Sequence, residues 1–220
     1  MKRIILIAPP SAGKGTISKI LCEKYRLPHI STGDLLRQAV ETDDEQGNYI
    51  RQQMNLGKLV SDDIIISLIE KRITQNDCSN GYILDGFPRN LYQAKVYEKM
   101  LDDMNKNFGI VILLDISCEK AKKRILGRVS CPNCGAVYNI YSEDTRPRIV
   151  GICDTCGEIL SRREDDNEEV FEERFSTYLK ETKPVADYYE NRGLLHIIDS
   201  SMDLNIVLEQ IERILEKEND

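Results

Sequence analysis

No apolar run in these 220 residues approaches the roughly 20 needed to span a bilayer. Positive charge is not in excess either. Thirty Lys and Arg face 37 Asp and Glu, a net charge of −7, which argues against a dedicated nucleic-acid binder but leaves room for a locally basic cleft. The seven cysteines are an odd set and do not suggest a disulfide framework. Met1-Lys2-Arg3 followed by residues 4–8 has the charge order of a signal peptide. Its apolar part is too short, however, and Pro9-Pro10 is wrong for a cleavage region. A cytoplasmic location is therefore expected. There is no internal repeat and no low-complexity tract. What remains is ordinary for a globular protein: 41% hydrophobic and 30% charged residues, in a chain long enough to bury a real core.

The most informative stretch is residues 3–16. An apolar run at 4–7 enters a small-residue loop that closes on Gly13-Lys14-Gly15-Thr16, and a helical pattern follows. A strand feeding a loop and then a helix N-terminus gathers backbone N–H groups and the helix dipole at one spot, and Lys14 adds a full charge. Polyphosphate is the natural occupant. The match to the phosphate-loop pattern is imperfect, because Ala8 stands at its first glycine and Thr16 follows Lys14 by two positions instead of one.

Along the chain, apolar segments predict strands at 4–7, 28–30, 82–85, 109–116 and 194–198. Helical spacing predicts helices at 17–25, 35–42, 45–55, 62–74, 91–104, 119–126, 167–192 and 204–216. Alternation of this kind predicts an α/β fold of three layers, with a five-stranded parallel sheet between helices. Ligands bind beyond the carboxyl ends of such strands. The first three predicted strands end in the phosphate loop, in Ser31-Thr32-Gly33-Asp34 and in Asp85-Gly86-Phe87-Pro88-Arg89. That convergence weighs more than any single motif.

Residues 127–162 break the pattern and read as a small β-rich insertion, with a strand-forming run at 137–141. They carry Cys131-Pro-Asn-Cys134 and Cys153-Asp-Thr-Cys156, two Cys-x₂-Cys knuckles separated by 18 residues, each followed by Gly. The spacing is that of a zinc site. Four thiolates leave no open coordination position, so the zinc is expected to be structural. Disulfide pairing is the weaker alternative in a reducing compartment. Cys22, Cys78 and Cys118 are expected to be small buried apolar side chains.

Taken together, Ala-Gly-Lys-Gly-Thr at 12–16, STGDLLR at 31–37, GKLV at 57–60, DGFPRNLYQ at 85–93, RILGR at 124–128 and RREDDNEE at 162–169 resemble the adenylate kinase family in its long, zinc-containing bacterial form. The resemblance runs over essentially the whole length. It implies a core of 1–30, 61–126 and 167–220, a helical monophosphate-binding insertion at 31–60, and a zinc-bearing lid at 127–166. It implies Mg²⁺-dependent transfer of a phosphoryl group from ATP to AMP, giving two ADP. ATP would be held by Gly13, Lys14, Gly15, Thr16, Arg124 and Arg128. AMP would be held by Thr32, Arg37, Lys58, Val60, Gly86, Arg89, Gln93, Arg163 and Arg174. Lys14, Arg89, Arg128, Arg163 and Arg174 would act on the transferring group, and Thr16, Asp34 and Asp85 would attend Mg²⁺, mostly through water. Asp165 and Asp166 would orient arginines. A monomer without nucleic-acid or membrane partners is expected.

Two loop positions depart from the family's usual pattern: Ala8 and Ser11 stand where glycines are the rule. If position 11 requires a left-handed backbone, Ser costs about 1–2 kcal/mol there; if not, the cost vanishes. Three other readings stay open at this point: a uridylate or cytidylate kinase of the same fold, a nucleotide sensor without turnover, and a zinc-ribbon interaction module.

Overall fold

The computed structural model describes residues 2–41, 44–143 and 145–217. Strands β1 (Lys2–Ile7), β2 (His29–Ser31), β3 (Gly81–Asp85), β4 (Ile110–Asp115) and β7 (Leu195–Asp199) form one sheet in the order β2-β3-β1-β4-β7. All of its pairings are parallel, as the alternating pattern predicts. Helices α1 (Lys14–Tyr25), α2 (Thr32–Ala39), α3 (Glu45–Asn55), α4 (Asp62–Ile73), α5 (Leu91–Asp103), α6 (Cys118–Leu126), α7 (Glu168–Thr177), α8 (Lys183–Glu190) and α9 (Leu204–Lys217) connect and cover it. None of the described helices is long and apolar enough to cross a membrane.

The strands alternate faces residue by residue, so the sheet feeds two separate cores. Ile5, Ile7, Tyr82, Leu84 and Val111 pack with α4, α5 and α8 on one side. Ile4, Leu6, Ile83, Ile112 and Leu114 pack with α1, α6 and α9 on the other. Both faces are covered, which is why residues 4–7 of β1 and 110–114 of β4 read as unbroken apolar runs. Burying each such Ile or Leu is worth about 1.5–3 kcal/mol.

Several boundaries differ from expectation for local reasons. Helix α2 begins at Thr32, three residues early, because the Ser31 side chain accepts from the Asp34 N–H and caps it. Thr42, the expected end of that helix, lies outside the described residues. The single helix expected over 167–192 is interrupted by a wide π-type turn at Tyr178–Thr182. Pro184 opens α8 and has no N–H to offer the carbonyl one turn back, so the ladder loosens there. The run at 137–141 pairs only over β6 (Val137–Asn139), antiparallel to β5 (Arg128–Ser130). The Asn139 side chain then accepts from the Tyr141 N–H and turns the chain. Of the three lone cysteines only Cys78 is buried. Cys22 is half-buried and Cys118 is exposed, since burial on α6 starts one turn later with Ala121 and Ile125.

Candidate active site

The register of the sheet places the tips of β1, β3 and β2 side by side, with Leu6 opposite Asp85 and Asp85 opposite Ser31. Beyond these tips opens a cavity of about 1040 Å³, large for a single small-molecule site. Gly13, Lys14, Gly15, Thr16, Thr32, Asp34, Arg37, Lys58, Val60, Asp85, Gly86, Arg89, Gln93, Arg124, Arg128, Arg163 and Arg174 all line it. Every nucleotide- or Mg²⁺-binding residue expected from the sequence is thus brought to one place.

On the floor, Gly13 adopts φ 93° and releases the chain into α1. The Thr16 and Ile17 N–H groups both bond to its carbonyl. Ser11 has φ 60°, so the left-handed alternative is the one realised, and its Oγ is buried without a hydrogen-bond partner. Burial pushes the Lys14 ammonium below its ordinary pKa. Asp85 opposes that shift, while Arg89 and Arg128 add to it.

Gly86 accepts at its carbonyl from Thr32 Oγ1 at 2.8 Å and from Arg89 Nε at 2.8 Å. Its φ is +79°, and a Cβ there would stand 2.8 Å from Thr32 Oγ1 and 3.0 Å from Arg89 Nη2. Glycine is therefore the residue that lets Arg89 fold back over the strand tip. The hydroxyl proton of the buried Thr32 is committed to this carbonyl, and its oxygen accepts from Arg89 Nη2 at 3.4 Å. The Arg89 carbonyl accepts from Thr182 Oγ1 at 2.9 Å, reached across the wide turn.

Arg37 lies over Gly33 and pairs with Asp34. Arg128 pairs with Asp166, Nε to Oδ2 at 2.7 Å, and Arg174 pairs with Asp165. The two aspartates thus engage arginines as expected. Partial burial, then Arg128 and Arg37, hold Arg163 below the usual arginine pKa. Burial does the same to Arg89, with Arg174 and Arg37 contributing. Mutually repelling cations gathered in one cavity are what a bound polyanion relieves. Arg124 donates from Nη2 to the Ser200 carbonyl at 2.9 Å, and its own carbonyl accepts from Asn139 Nδ2 at 2.8 Å.

The four cysteines of the two knuckles meet outside this cavity, their sulfurs all within 4.8 Å of one another. Cys131 and Cys156 sulfurs are 3.4 Å apart, and Cys134 and Cys153 sulfurs 3.5 Å. A tetrahedron of Zn–S bonds near 2.3 Å sets sulfurs roughly 3.8 Å apart, so the cluster fits a zinc ion. All four are free thiols. The Tyr138 hydroxyl, followed by backbone N–H groups of Cys156 and Thr155, brings the Cys153 thiol down to about 6. At Cys134 the Ala136 backbone, which lowers the thiol, is outweighed by desolvation and by hydrogen bonds to Cys153, Cys131 and Cys156, which push it up to about 12. Metal binding at the cluster therefore releases protons.

Sequence reasoning missed the side chains that brace these residues. Asp62 holds Gln93 and Asn90, Thr182 holds Arg89, Asn139 ties β6 to α6, and His29 Nε2 lies 3.3 Å from Asp85 Oδ2. Only His29, two residues before the motif at 31–34, carried a local signal.

A parallel sheet, a phosphate loop at its first strand tip and a ring of cations define a phosphate-loop protein of the nucleotide-handling class. A family model described as "Adenylate kinase" matches residues 6–194, and the chain belongs to that family. Among curated relatives, the adenylate kinase of Allorhizobium ampelinum is 44% identical over 97% of this chain and 98% of its own length. That of Archaeoglobus fulgidus is 44% identical over the same shares. That of Thermodesulfovibrio yellowstonii is 40% identical over 98% of this chain and 99% of its own.

Proposed function

We propose that the protein transfers a phosphoryl group reversibly from ATP to AMP, giving two ADP, with Mg²⁺ as cofactor. The observation that carries this reading is a large cavity beyond the strand tips that Lys14, Arg37, Arg89, Arg128, Arg163 and Arg174 line together. Membership of the adenylate kinase family supports it. The N–H groups of Gly13, Lys14, Gly15 and Thr16 cradle the donor phosphates, and Arg124 flanks the donor base. Arg37 and Arg89 grip the acceptor phosphate. Thr32, Gly86, Gln93 and the backbone at Lys58 and Val60 surround its base. Arg128, Arg163 and Arg174 stabilise the charge that spreads over the transferring group, a role Arg suits because its planar fork matches two phosphate oxygens. The acceptor is already an anionic oxygen, so no strong base is required.

Thr16, Asp34 and Asp85 are hard oxygen donors of the kind Mg²⁺ prefers, reached largely through water. The ion would neutralise charge on the donor phosphates. Zinc on Cys131, Cys134, Cys153 and Cys156 would be structural, folding a segment that has little core of its own. Residues 31–60 and 127–166 are the two pieces that close over the core formed by 1–30, 61–126 and 167–220. Arg128 and Arg163, near the ends of the second piece, travel onto the phosphates as it closes and water is shed. The protein works as a cytoplasmic monomer without nucleic-acid or membrane partners.

The test is a coupled assay with ATP and Mg²⁺, comparing AMP, UMP, CMP and GMP as acceptors. AMP should give the highest kcat/KM. A better rate with UMP or CMP would make the protein a pyrimidine monophosphate kinase. ATP binding with no turnover on any acceptor would make it a sensor.

A further inference from the structure

Gln93 is 1% exposed, yet lines the cavity. Its terminal amide offers two N–H donors and two lone pairs. The protein takes up half of that capacity. Gln93 Oε1 accepts from the Arg89 backbone N–H at 2.7 Å, and Gln93 Nε2 donates to Asp62 Oδ1 at 2.8 Å. Asn90 Nδ2 donates to the same Asp62 oxygen at 2.9 Å, while Asn90 Oδ1 caps α5 at the Gln93 N–H. A backbone N–H can only donate and a carboxylate can only accept, so the amide has one orientation. Reversed, it would set donor against donor and acceptor against acceptor.

We propose that Asp62 is a positioning residue that locks the Gln93 amide and so selects a 6-aminopurine over a 6-oxopurine as the phosphoryl acceptor. The proposal rests on Gln93 meeting the acceptor base. One N–H and one lone pair of Gln93 remain. A 6-aminopurine presents an acceptor at N1 beside a donor at its amino group and satisfies both. A 6-oxopurine presents a donor at N1 beside an acceptor oxygen and opposes both. A site whose buried polar groups are left unpaired by the wrong ligand discriminates strongly. Asp62 is absent from the cavity lining and reaches it through the Gln93 amide and through Asn90, which caps α5 at the Gln93 N–H. Its other effect is generic: it opens α4, where any acidic side chain favours the helix dipole.

The experiment measures kcat and KM with AMP and with IMP for the full-length protein and for Asp62→Leu, Asp62→Asn, Gln93→Leu and the Asp62→Leu/Gln93→Leu double variant, with melting temperature as a check on folding. Asp62→Leu should raise the KM for AMP about tenfold with kcat within about twofold, and shrink the AMP-over-IMP preference about tenfold. Asp62→Asn keeps an acceptor oxygen and should retain most of the preference. The double variant should be no less selective than Gln93→Leu alone, since the two residues act as one unit. Should Asp62→Leu fail to fold, Asp62→Ala replaces it. An unchanged preference in the Asp62 variant, beside a collapsed one in Gln93→Leu, overturns the role of Asp62 and leaves the acceptor reading standing. An unchanged preference in Gln93→Leu overturns both.

Discussion

Beneath the cavity, β1 and β3 run between two layers of fully buried side chains: Ile5, Tyr82 and Leu84 on one face, Ile4, Leu6 and Ile83 on the other. Across it, the segment 127–162 buries almost nothing apolar. Among its described residues only Gly127, Cys131, Pro147 and Cys153 are buried, two of them members of the thiol cluster itself, while Val150 is 91% exposed and Ile159 68%. One half of the site is held by the hydrophobic effect and the other by a cluster of thiols. Two supports of such different origin should respond to different insults.

The largest effect should fall on chemistry alone. Lys14→Met removes a cavity cation without touching either apolar layer, and should lower kcat at least about 10³-fold while the melting temperature stays within a degree or so. Calorimetry beside the coupled assay checks both halves of that statement. Zinc removal should do the reverse. Chelation withdraws a term worth about 10–16 kcal/mol in small metal-folded units, so amides between 131 and 160 should lose exchange protection while those of β1 and β3 keep theirs. Hydrogen exchange read by mass spectrometry settles it, and loss of activity with the segment still protected would contradict the structural role.

A smaller effect belongs to the seam between the halves. Burial works to raise the Asp165 carboxyl, but the Arg174 pair, with Arg128 and Arg163, outweighs it and holds it below the usual range. A depressed carboxylate stabilises the fold above its unfolded pKa, near 3.9, and loses that contribution as pH falls through the lower folded value. Thermal stability should therefore decline on acidification from about pH 5 toward pH 3, and Asp165→Asn should flatten that limb while costing about 2–8 °C at neutral pH. Smallest of all is Ser11→Gly. It relieves a left-handed backbone and a buried hydroxyl without a partner, partly offset by the greater freedom of glycine in the unfolded chain. The melting temperature should rise by about 2 °C, and ATP affinity measured by titration calorimetry should change by no more than about tenfold.

The same contrast explains what could be read from residue order. The strand tips were legible because each ends an apolar run in a dense local motif, and the two knuckles because thiol spacing is itself geometric. Ser11 was legible as a question, which the backbone answered. The braces were not. Asp62 and Gln93 are 31 residues apart and Thr182 and Arg89 are 93 apart. In sequence each is an ordinary helix-start acid or an interior threonine, and only the tertiary fold gives it a partner. The wide turn at 178–182 was hidden for another reason: the helical spacing continues through it, and one proline decides the matter.

Helix α1 touches both halves. Its first residue, Lys14, faces the cavity. Five residues on, about 7.5 Å of helical rise, Lys19 Nζ donates to the carbonyl of Gly135 in the first knuckle at 2.7 Å. A single rigid rod thus gauges the clearance between the phosphate loop and the cysteine-bearing segment. A chimera carrying a foreign segment at 127–162 would have to match that clearance, whatever metal or core its replacement used to fold.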